Sequence, residues 1–166
     1  MKPVLKTPLI FDGHNDILSL LCKSGLCSGG SINLDVFAGD MPGHLDMDKM
    51  RKGGFGGGFF AIWVPSPIDL DSKNSQMNLP KYDLPLPPEI SVDEALPIAI
   101  AQAAILHRME QAGYVTICTN AAMLQSCLKQ NKIAAIMHIE GAEPIDRDFR
   151  SSEAPAGPVD LDFGAL

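Results

Sequence analysis

Apolar residues along this chain come in short runs, and the spacing within each run separates strands from helices. Residues 8–11, Pro-Leu-Ile-Phe, read as a short buried strand ending at Asp12. Residues 17–22 are apolar but for one serine and begin a helix or helical turn. Residues 23–43 carry Gly25, Gly29, Gly30, Gly39, Pro42 and Gly43 and are mostly loop. Within 44–54, Met47 and Met50 share a helical face and Gly53-Gly54 stops the turn. "GGFFAIWVP" (57–65) joins aromatic and β-branched residues between Gly and Pro, which predicts a strand.

Residues 65–90, rich in Pro, Asp, Ser and Asn, predict a long loop. A helix is expected over 91–113, with Ser91 and Glu94 as a capping box and Gly113 as its end. Leu96, Ala99, Ala103 and Leu106 keep its period, and Pro97 would bend its first turns. A short strand at 115–119, a helix at 120–131 capped by Asn120, and a buried strand within 132–143 ending at Glu140-Gly141 follow. Strands and helices alternate, which is α/β order. From about residue 150 the chain shows neither period and reads as irregular tail.

Composition narrows the function classes. The 166 residues are 46% apolar and 20% charged, enough for one ordinary globular domain. The net charge of −7 comes without a Lys/Arg-rich stripe, which argues against nucleic acid and anionic membrane as partners. Only Leu9-Ile10-Phe11 follows Lys2 and Lys6 before Asp12, too short for a signal-peptide core. No run approaches the roughly eighteen apolar residues of a membrane span, and a cytoplasmic location is the expectation. Cys22, Cys27, Cys118 and Cys127 lack zinc-ribbon spacing and are expected to be reduced thiols.

The candidate chemistry lies at strand ends. In "DGHNDIL" (12–18), His14 and Asp16 are two apart, so in extended backbone they face one side. An imidazole and a carboxylate aimed at one spot suit Zn²⁺ or a similar ion. Glu140 closes another apolar strand beside Gly141, and ligands in α/β folds gather beyond the carboxyl ends of strands. His-x-Asp spacing is weak by itself. The alternative is that Asp12 and Asp16 cap a polar turn, His14 is an ordinary histidine and Glu140 a solvated strand end. His138, on the face of Glu140, reads as a packed residue rather than a ligand. His44 and His107 carry no signal, with His107 expected on a helix surface. "GGFGGG" (53–58) precedes a strand and lacks a following Lys-Ser/Thr, so it reads as a tight turn with close backbone packing, not a phosphate loop.

"FDGHNDIL", "MRKGGFGGGFFAIWVP" and "KIAAIMHIEGAEPID", in this order and at these distances, resemble the membrane dipeptidase family of zinc peptidases over residues 8–149. The resemblance implies a (β/α)8 barrel with two zinc ions. His14 and Asp16 then match ligands of the first zinc. Glu140 matches the carboxylate bridging both and so becomes the catalytic candidate. The implied substrate is a dipeptide, attacked by metal-activated water. A homo-oligomer is left open.

The family pattern also needs two further zinc-binding histidines, a substrate-contacting histidine, and an Arg and an Asp from later strands. This chain has no histidine after His138, and a full barrel takes about 250 residues. The fold expected is therefore the N-terminal part of a TIM-type barrel, incomplete, over 1–149, with 150–166 unlike the family. At most a partial zinc site is expected. The alternative function is an inactive truncated or frameshifted remnant, or a non-enzymatic partner of a complete subunit.

Overall fold

The computed structural model describes residues 8–25, 33–67 and 75–145. The expected irregular tail, Cys27 and parts of both long loops lie outside them. The chain divides into two units. The first holds the residues up to Trp63 together with Ile98–Glu140; the second holds Val64–Pro97 and the residues from Gly141.

The first unit is a parallel sheet under a layer of helices. Its elements are β1 (Ile10–Asn15), α1 (Ile17–Lys23), a 3-10 turn at Leu34–Ala38, α2 (Met47–Gly53), β2 (Phe55–Trp63), the part of α3 (Val92–Gln111) from Ile98 onward, β3 (Thr116–Ile117), α4 (Ala121–Lys129) and β4 (Ala134–Glu140). The four strands lie in the order β1-β2-β4-β3, all pairs parallel. β4 pairs with β2 along its whole length, whereas β3 is in register with only Ala134 and Ala135 of β4. The expected strand at 115–119 thus exists, but it is a two-residue edge that chain order does not place.

The sequence pattern explains the elements. Asp46 caps α2 by accepting from the Lys49 amide, and Gly54 ends it in the left-handed region with φ 71°. Asn120 caps α4 by accepting from Met123 N–H. In the second unit Ser91 and Glu94 form the expected capping box: Glu94 N–H donates to Ser91 Oγ, and Ser91 N–H to Glu94 Oε2. Gly57 is needed for close approach, because a Cβ there would collide with the Ala134 carbonyl of β4. The glycine run is therefore strand packing, not a phosphate cradle.

One sheet face is covered. Phe60, Ile62 and Ala135 pack with Leu18 and Leu21 of α1, Met47 and Met50 of α2, and Ile105, Leu106 and Met109 of α3. Burying a Leu, Ile, Phe or Met side chain is worth about 1.5–3 kcal/mol, so this layer supplies the main drive for folding the unit. The period-2 alternation of β2 and β4 sends Phe59, His138 and Glu140 to the opposite face.

Two expectations need correcting. Cys22 takes part in a disulfide, so the four cysteines are not all reduced; Cys118 and Cys127 are free and buried. His107 is not a surface residue: it is half-buried, with Nε2 enclosed and lacking a hydrogen-bond partner. Among the described residues no helix is long and apolar enough to cross a membrane.

Candidate metal centre

β1 does not end at Asp12 but runs on to Asn15, and it does so irregularly. Asp12 pairs with Gly58 and Asn15 with Phe60, so β1 uses one residue more than β2 across the interval. Such a bulge, here at Gly13 and His14, re-aims the side chain within it, that of His14. Asp12 braces the bulge: its Oδ1 accepts from the His14 N–H at 3.2 Å. The turn-capping role expected in the polar-turn reading is thus seen at Asp12.

Asp16 lies just beyond the strand, at the N-cap position of α1, but its side chain makes no capping hydrogen bond. Its carboxylate is 3.4 Å from His14 Nε2. Glu140, the last residue of β4, brings Oε2 to the same nitrogen, also at 3.4 Å. Gly141 follows with φ 89°, a left-handed turn that glycine makes at little steric cost. One donor atom from each of His14, Asp16 and Glu140 lies within 4.8 Å of the others. This is the only such cluster of three or more potential ligands among the described residues. All three are exposed, with side chains 41%, 55% and 47% accessible.

Asn15, between the two β1-end residues, is buried at 6% exposure. Its Nδ2 donates to the Phe59 carbonyl at 3.0 Å, tying β1 to β2 where the register breaks, while its Oδ1 is buried without a partner. Gln102 of α3 plays a like part for β2. Its Oε1 accepts from Trp63 N–H at 3.0 Å and its Nε2 donates to Trp63 O at 2.7 Å. Trp63 is the register partner of Glu140. Both residues escaped the sequence reading, yet each carries a signal: an amide in a strand, and a polar side chain in the apolar stripe of Ala99, Ala103 and Leu106.

His138 stands beside the cluster but outside it, its ring centroid 5.9 Å from that of His14. His44 is exposed and lies elsewhere. A groove of about 620 Å³ lies at the opposite end of the strands, bordered by Met47, Arg51, Glu110, Thr116, Lys132 and Ile133, and none of His14, Asp16 and Glu140 lines it.

The profile of the membrane dipeptidases, peptidase family M19, covers residues 1–151. The chain belongs to that family. It is 40% identical to the metallopeptidase dipeptidase AC, with a TM-score of 0.75 over 89% of this chain and 41% of that one. It is likewise 40% identical to a metallopeptidase of Rhodobacter sphaeroides liganded with a phosphinate mimic of the dipeptide L-Ala-D-Ala, with a TM-score of 0.76 over 89% of this chain and 42% of that one. Among sequence relatives, dipeptidase ataJ of Aspergillus terreus is 29% identical over 146 residues, 84% of this chain and 30% of the relative. An uncharacterised protein in the PQQ-III 3' region of Acinetobacter calcoaceticus is 29% identical over 143 residues, 84% of this chain and 42% of the relative. This chain therefore spans about two-fifths or less of the length of these proteins. The parallel sheet under helices is the N-terminal part of the TIM-type barrel of this family.

Proposed function

We propose that His14, Asp16 and Glu140 form the first half of a dipeptidase zinc centre, and that the family chemistry of this chain is hydrolysis of a dipeptide bond. The observation that carries this reading is the 3.4 Å separation of His14 Nε2 from both carboxylates. Zn–N and Zn–O bonds of about 2.0–2.2 Å at tetrahedral angles put ligand atoms about 3.3 Å apart. One neutral imidazole with two anionic oxygens is also a donor set that suits zinc. Bound there, zinc would lower the pKa of water and polarise a carbonyl oxygen. The chain's own residues would supply the ligands: Asp16 and Glu140 a carboxylate each, His14 an imidazole nitrogen, and Glu140 would be the carboxylate shared with a second ion.

The exposure of all three ligands favours a second reading for the chain by itself: metal binding without turnover. Electrostatic stabilisation of a developing oxyanion needs a water-excluded site, and these side chains are 41% to 55% accessible. Isothermal titration with Zn²⁺, followed by assay against L-Ala-D-Ala, separates the two. Saturable 1:1 binding with hydrolysis supports the dipeptidase reading; binding without hydrolysis supports the second. Loss of the binding in Asp16→Asn and Glu140→Gln is expected. Zinc uptake unaltered by both substitutions would remove the centre altogether.

A further inference from the structure

A metal-ligating histidine usually donates its second ring N–H to a carboxylate or carbonyl, which fixes the ring's rotation. Among the described residues His14 has no such brace. Both of its carboxylate contacts use Nε2, and among the described residues no hydrogen bond involves Nδ1. Its strand is irregular and at the edge of the sheet. What touches the ring is another ring. His138 of β4 meets His14 edge to face, with centroids 5.9 Å apart and planes at 81°. Phe59 of β2 meets His138 in the same way, at 6.0 Å and 84°. Phe11 of β1 meets Phe59 at 6.0 Å and 90°. The four rings form a ladder across three strands, with its last rung on the candidate metal ligand.

We propose that His138 is a positioning residue of the metal centre, whose ring, held between Phe59 and His14, sets the rotation of the His14 imidazole so that Nε2 meets Asp16 and Glu140. The inference rests on the zinc-centre reading above. Two features make His138 suited to the task. The β-strand period puts it on the same face as Glu140, so one rigid strand carries both a ligand and the brace for another ligand. β4 is also held to β2 over its whole length, from Ala134 to Glu140, which leaves the brace firmer than the irregular β1 it supports. The role asks only for an aromatic ring with its edge or face toward His14. It asks for no proton and no metal bond from His138, whose donors fall outside the cluster of converging ligand atoms.

The test uses the full chain and two substitutions, His138→Leu and His138→Phe, with Phe59→Leu as a second way to loosen the ladder. Co²⁺ is the probe, because its visible absorption reports ligand geometry and its titration reports affinity. An edge-to-face pair lost from the ladder is expected to weaken Co²⁺ binding by about three- to tenfold. His138→Leu should show that loss together with a changed absorption band. His138→Phe should stay within about twofold of wild type with the wild-type band, and Phe59→Leu should fall between. Thermal unfolding of each variant checks that the chain is folded. Equal binding and spectra in wild type and His138→Leu would overturn the proposal. So would equal losses in His138→Phe and His138→Leu, which would make the imidazole itself a ligand. Wild type that takes up no Co²⁺ or Zn²⁺ would sink the metal-centre reading instead. Ring ¹H–¹³C signals of His14 in the metal-free chain would then decide: new averaging in His138→Leu but not His138→Phe supports positioning, and unchanged signals overturn it.

Discussion

Gln102→Leu should destabilise the chain severely although the substitution is nearly isosteric and apolar. Gln102 is 1% exposed, and its amide oxygen and nitrogen are both committed to the backbone of one residue of β2, Trp63. Leucine would leave the Trp63 N–H and C=O without partners where water does not reach. Each unsatisfied buried backbone group costs about 1–3 kcal/mol, and the gain from burying an apolar side chain offsets part of this, for a net loss of about 2–4 kcal/mol. With a urea slope near 2 kcal/mol per molar, the unfolding midpoint should fall by about 1–2 M. Circular dichroism in urea measures it. Gln102→Glu sharpens the test. An ionised carboxylate still accepts from Trp63 N–H, but its second oxygen faces the Trp63 carbonyl. Burial and that carbonyl both raise the folded-state pKa of the new carboxyl. Its neutral form, which can donate, is therefore favoured in the folded state at low pH and lost as pH rises. The deficit of Gln102→Glu should shrink as pH falls from about 8 to 5. A Gln102→Leu midpoint within about 0.2 M of wild type would refute the reasoning, because the Trp63 peptide would then not depend on its clamp.

Other expectations follow from the same structure. Burial, with the Cys127 thiol beside it, raises the Cys118 pKa from an ordinary 9.0 to about 11. At pH 8 Cys118 should therefore react with iodoacetamide roughly 100-fold more slowly in the folded chain than in urea. The stabilisation linked to this thiol is present below about pH 9 and lost as pH rises through about 11. Thiol counting in denaturant should find two more thiols after reduction than before, because Cys22 is disulfide-bonded. Asp46 is held below its ordinary 3.8 first by the hydrogen bonds from Lys49. Its contribution should be complete above that value and lost as pH falls through the lowered one, so Asp46→Asn should flatten the acid limb of a melting-temperature profile.

Much of the local structure was legible because its causes are local. The capping box at Ser91 and Glu94, the Asn120 cap, the Met47/Met50 face and the aromatic run of β2 each depend on residues a few positions apart. Strand ends were less legible. β1 extends three residues past Asp12 because Asn15 supplies a side-chain hydrogen bond across the bulge, which no period reveals. His14 and Asp16 do converge, but not along the extended backbone expected from their spacing. Asp16 is already outside the strand, and bulge and helix start together turn its carboxylate toward His14. His107 and Cys22 were misread because burial and disulfide pairing depend on neighbours distant in sequence.

The residues alone determined the α/β alternation, the identity of the three candidate ligands and the family, since composition, period and motif order are properties of the chain itself. The tertiary structure decided the rest. It set the order β1-β2-β4-β3, brought Glu140 to the end of β1, and left Asp12 as a brace rather than a ligand. The physical reason is that strand pairing and side-chain convergence are settled by burial and register between segments far apart in sequence. A short polar motif can therefore name the atoms that would hold a metal, while only the packed sheet brings them to within 3.4 Å.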